Sequence, residues 1–182
     1  GRKDKLNLID SLAKRGYAVV YSQDELSKCE NEKIFGLFAE GHLPEASKRG
    51  GVMQQYMLKA LEQLDKNPNG FFMMLEGSRI DMEAHLNKYD AMVEETLDFD
   101  RCVAIALDFA KKKGNTLVVV TADHETGGLT LPAKGSKTQD KWTTLNHTGV
   151  PVPIYSFGPG AENFTRVMQN TDIFFEIYKL MK

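Results

Sequence analysis

The chain has 182 residues and a formal net charge of −2, a length that suits one ordinary domain with a real hydrophobic core. Its Lys, Arg, Asp and Glu are interspersed, leaving no basic stripe for a phosphate backbone and no polybasic arm for anionic lipid, so neither nucleic acid nor a membrane is an expected partner. No apolar run approaches the roughly 20 residues needed to cross a bilayer, and no charged-then-apolar leader precedes the first helix pattern.

In chain order, Leu6, Ile9, Leu12 and Ala13 predict a helix. The strand "YAVVY" and a second short apolar run, "IFGLF", follow. Met53, Tyr56, Met57, Ala60, Leu61 and Leu64 then recur at three-to-four spacing, a helix that Pro68 and Gly70 break. The run "FFMML", residues 71–75, is continuous and apolar and predicts a buried parallel strand. A long helix is expected from about 91 to 113, stopped by Gly114 after three lysines, because cations suit a helix's carbonyl end and glycine tolerates the left-handed cap. The strand "TLVVVT", an irregular stretch over 122–150, a last strand "PVPIYSFG" and a closing helix with Ile173, Phe174, Ile177 and Leu180 complete the pattern.

Strands alternating with helices predict a single α/β domain over 1–182, built on a mainly parallel sheet with helices on both faces. Sites in such sheets form beyond the carboxyl ends of strands. Glu76, Asp81 and His85 follow "FFMML"; Asp123 and His124 follow "TLVVVT"; His147 stands just ahead of the last strand. If residues from about 80 onward are helical, Asp81 and His85 lie one turn apart on one side and a single ion could bridge them. A carboxylate oxygen with imidazole nitrogens suits zinc, and three protein ligands with one position open is the usual catalytic arrangement. Taken singly, Asp81 and His85 also read as an exposed i,i+4 contact, Asp123 and His124 as a helix cap beside a solvated histidine, and His147 as a loop residue. Their shared chemistry at strand ends favours the metal reading.

Those residues stand in motifs that resemble the alkaline phosphatases: "EGSRIDMEAH", "VTADHETGG", "NHTGVPVPIYSFGPGAENF" and "FGLFAEGHLP", in the family's order across residues 37–164. The resemblance implies hydrolysis of phosphate monoesters with two zinc ions and a magnesium, through a covalent phosphoserine. It places Asp81, His85 and His147 on the first zinc, Asp123 and His124 on the second, and Glu76 on magnesium. It also implies export, to the periplasm or the cell exterior. The family's serine nucleophile, further metal ligands and phosphate-binding arginine have no counterpart in these motifs, so no catalytic residue is assigned within the chain. Asp10 and Ser11 sit in "LIDSLAKRG", which reads as an amphipathic helix, and Ser78 reads as turn structure.

The expected partners are therefore a phosphate monoester and the missing N-terminal part of the same protein. The chain opens on glycine, as an excised or processed piece would. Such a piece is expected to be nearly inactive alone and to hold at most about one well-formed zinc site. Rival readings are another metal-dependent phosphate or sulfate hydrolase or mutase, and a non-catalytic metal- or phosphate-binding module. His42 and Trp142 read as loop and packing residues, and Cys29 and Cys102 lack the spacing of a thiolate zinc site or a disulfide framework. Met53, Met57, Ile173, Phe174 and Ile177 are assigned to core. Apolar area left exposed where a missing half docks would favour self-association, a homodimer included.

Overall fold

The computed structural model describes residues 3, 4, 6–131, 134 and 141–181. The opening glycine and part of the irregular stretch expected over 122–150 lie outside them. The chain forms two compact units, Gly1–Leu75 and Glu76–Lys182.

In the first unit, helix α1 (Leu8–Lys14) packs on strand β1 (Ala18–Val20), which pairs in parallel with β2 (Ile34–Gly36) in the register Ala18↔Ile34. Helix α2 (Gln23–Lys28) joins the two strands. Its start is fixed by Ser22, whose Oγ accepts from the Glu25 amide, while the Glu25 carboxylate accepts from the Tyr21 amide at 2.7 Å. A short helix α3 (Ala46–Arg49) and the longer α4 (Val52–Leu64) follow, separated by Gly50 and Gly51 at φ 57° and 76°. Met53, Met57 and Leu61 of α4 are buried with Val20 and Leu26, as the apolar spacing predicts. Asp10 and Ser11 lie within α1, where Ser11 Oγ donates back to the Asn7 carbonyl. His42 is exposed in a bend.

Residues 71–75 differ from expectation. None of the sheets among the described residues includes them, although their side chains alternate between half-buried and exposed as an extended chain's do. An apolar run can specify extension by itself, but a ladder needs a second strand from elsewhere in the sequence.

The second unit opens with an αα-hairpin, α5 (Arg79–His85) and α6 (Tyr89–Lys113), turned at Asn87 with φ 52° and closed by Gly114 in the left-handed region at φ 74°. Strand β3 (Val118–Thr121) packs on α6 and pairs with β6 (Ile154–Phe157) in the register Thr121↔Ile154. Between them, β4 (Glu125–Thr126) pairs with β5 (His147–Thr148). A 3-10 turn (Ala161–Phe164) buries Phe164 and leads to the closing helix α7 (Asn170–Leu180).

The mainly parallel sheet is not what the described strands form: each sheet has two strands, and only β1–β2 is parallel. The reason is topological. The chain leaves the carboxyl end of β3, makes its excursion through β4 and β5, and re-enters β6 at that same end, which requires antiparallel pairing. Thr121 Oγ1 ties the two ends together by donating to the Pro153 carbonyl at 3.1 Å. On α7, Ile173 and Ile177 are half-buried, but Phe174 is 63% exposed and stacks on Tyr178 at the surface. Its assignment to core is therefore corrected. No helix among the described residues is long and apolar enough to cross a membrane.

Candidate metal centre

Three elements of the second unit converge on one point. Helix α5 carries Asp81 and His85 one turn apart, so Asp81 Oδ1 and His85 Nε2 stand 3.3 Å from each other. The β4–β5 ladder brings His147 to the same place, with its Nε2 3.1 Å from His85 Nε2 and 3.5 Å from Asp81 Oδ1. Among the described residues, these form the one group of three donor side chains whose ligand atoms lie within 4.8 Å of one another. All three are at least partly accessible.

The donor chemistry fits a cation. His85 Nδ1 lies 2.6 Å from the Leu145 carbonyl, which can only accept, so Nδ1 is the donor there and the neutral form of the ring would present its lone pair to the cluster at Nε2. This is the backbone-carbonyl support that zinc-binding histidines use. Zinc holds nitrogen and oxygen at about 2.0–2.1 Å, which puts tetrahedral ligands roughly 3.3 Å apart. The three observed separations bracket that spacing.

Hydrogen bonding extends the argument to the neighbouring pair. Thr126 Oγ1 is 2.5 Å from Asp81 Oδ1 and 3.2 Å from His124 Nδ1. A carboxylate only accepts, so the hydroxyl donates to Asp81 and takes its own bond from His124 Nδ1–H. That leaves the lone pair of a neutral His124 at Nε2, 3.2 Å from Asp123 Oδ2, which also only accepts. With a neutral His124 the two would face each other as acceptors, an arrangement that a shared cation satisfies, as a proton on the ring also would. The His124 ring stacks on His147 with centroids 3.5 Å apart, so this pair adjoins the first three residues. Asp123 is 85% exposed. Glu76 is exposed and lies outside the three-donor group, as do Asp123 and His124.

Sequence reasoning missed the supporting residues. Thr126 is one; Glu125 is another, accepting from the Gly128 amide at 2.9 Å and from the Thr148 hydroxyl across the ladder. Their polar side chains in "DHETGG" and "NHTG" were the available signal. Trp142 packs against Gly127, in line with its packing assignment. Replacing Thr126 by valine, which keeps the shape and removes both hydrogen bonds, is expected to weaken zinc binding roughly 10–100-fold. Competition with a chromophoric chelator measures this, and unchanged affinity would refute the orienting role.

The sequence pattern that defines the alkaline phosphatases matches residues 1–140. Alkaline phosphatase 4 of Bacillus subtilis is 30% identical in a match that takes in 100% of this chain and 55% of that protein. The solved alkaline phosphatase of the Antarctic bacterium TAB5 superposes with a TM-score of 0.89 at 36% identity, covering 99% of this chain and 56% of that one. A variant of the TAB5 enzyme was solved with magnesium bound in its M3 site. The chain thus spans about half the length of these relatives.

Proposed function

Because the chain belongs to the alkaline phosphatase family and shares its fold, we propose that it supplies the metal-binding side of a phosphate monoester hydrolase. Asp81, His85 and His147 hold one zinc, Asp123 and His124 contribute to a second, and Glu76 is a magnesium ligand. The observation that carries this reading is the convergence of Asp81 Oδ1, His85 Nε2 and His147 Nε2, with His85 Nδ1 held against the Leu145 carbonyl. When bound, paired cations offset the negative charge on the attacking and leaving oxygens of an in-line displacement at phosphorus.

The residues' own part is to orient. Leu145 fixes the His85 tautomer, and Thr126 turns one Asp81 oxygen and the His124 ring together. The β4–β5 ladder fixes how far His147 stands from α5. One carboxylate and two neutral imidazoles leave a doubly charged ion with net positive charge, which a phosphate dianion can share. The attacking serine belongs, in this proposal, to protein outside these residues, and export belongs to the same reading.

Supplied with zinc, magnesium and an aryl phosphate, the chain alone is expected to show negligible turnover, while inorganic phosphate raises its zinc retention. Hydrolysis at ordinary enzyme rates, of order 1 to 10³ per second, would overturn the assignment of the nucleophile. Zinc retention indifferent to phosphate would overturn the substrate class.

A further inference from the structure

Helix α5 presents two faces with different chemistry. Asp81 and His85 point to the metal centre, whereas Arg79 and Glu83, offset from them by two residues and so by about 200° around the axis, point to α6. There Arg79 Nη2 meets Glu83 Oε1 at 2.6 Å, and Arg79 Nε meets Glu95 Oε1 of α6 at 3.2 Å. Both glutamates are 3% exposed. The other Glu83 oxygen makes no hydrogen bond and faces Lys88 Nζ at 3.8 Å.

We propose that Arg79, Glu83 and Glu95 are positioning residues that set the rotation of α5 about its axis, and through it the spacing of Asp81 and His85 at the metal. The inference rests on the metal-centre reading above. Helix α5 has seven residues and no side-chain cap at its start, far below the length at which a helix persists unaided. Its orientation is therefore imposed by what it packs on. An apolar contact with α6 would hold α5 in place but would tolerate rolling, because the hydrophobic effect has no direction. A guanidinium held at two of its nitrogens does have direction. Buried ion pairs are seldom more stabilising than apolar replacements of similar volume, and fixing one arrangement among several is their best-attested use. Charged groups buried beside a ligand-bearing helix of this length fit that use.

The test separates stability from geometry. A triple variant, Arg79→Met with Glu83→Leu and Glu95→Leu, replaces the cluster by apolar side chains. It is expected to melt in chelator at or above the wild-type temperature yet bind zinc roughly tenfold or more weakly. Bound cobalt(II) in the same variant is expected to show an altered visible spectrum, which an unchanged ligand geometry would not. Should the triple variant fail to fold, Arg79→Lys, which keeps the charge and loses the fork, and Glu95→Gln decide the matter by the same two readings. Wild-type zinc affinity in every folded variant overturns the positioning role while leaving the metal centre intact. A wild-type chain that binds no zinc overturns both.

Discussion

The chain dialysed against zinc and then against buffer is expected to retain about one ion, and His85→Ala to retain none. Two measurements check this, metal content and the shift of melting temperature with zinc. A ligand present at about 100 times its dissociation constant stabilises the folded state by ~2.7 kcal/mol, which in a protein of this size raises the midpoint by roughly 5–10 °C. Removing His85 deletes one of three donors and frees the Leu145 carbonyl, so affinity falls beyond the roughly 10–100-fold that loss of an outer hydrogen-bond partner brings. The metal-free fold should change little, because His85 is partly exposed and sits at the end of α5. Loss of affinity and loss of stability therefore separate. His42→Ala, an exposed change in the other unit, controls for adventitious binding by a surface imidazole. Equal zinc in wild type and His85→Ala would remove the basis of the proposed function.

Why the clustering of Asp81, His85 and His147 was legible while the sheet was not follows from where each signal resides. Asp81 and His85 are four residues apart in a helix, so their meeting is local geometry readable from spacing. His147 was singled out because site residues gather at strand ends; it joins Asp81 and His85 from β5, while β3 and β6 pair by antiparallel return. The pairing of residues 71–75 and the direction of β6 depend on partners distant in sequence, which an apolar run does not name. Two-residue ladders such as β4–β5 lie below any periodicity, yet this one delivers His147. Helix α2 escaped notice despite the Ser22 and Glu25 capping signature, because six residues show no hydrophobic period. The Arg79–Glu95 bond joins positions 16 apart on two helices, and in sequence each residue reads as an ordinary exposed charge.

Gly127→Ala is expected to lose about 2–5 kcal/mol of stability and to weaken zinc binding with it. Gly127 is buried with φ 91°, where an L-residue costs about 1–2 kcal/mol. An added methyl would also overlap the Trp142 ring and press on the Ala84 carbonyl of α5 at 3.2 Å, an overpacking of about 1–3 kcal/mol. The consequence reaches the proposed metal site because Gly127 anchors the segment beside it. Its amide donates to Asn146 O, and its carbonyl accepts from Thr143 and Thr144, the residues that lead into Leu145 and His147. Shifting that segment moves both the acceptor that fixes His85 and His147, the third residue of the proposed site. Trp142 is the only tryptophan in the chain, so its fluorescence reports the displacement without a label. Gly16→Ala is the matched control, with φ 82° and nothing within 4 Å of an added methyl. It should carry the backbone strain alone, about 1–2 kcal/mol, with the emission spectrum and zinc affinity unchanged. If the two variants lose equal stability and Gly127→Ala leaves Trp142 emission in place, then the tryptophan does not rest on Gly127 and the loop that presents His147 is held by something else.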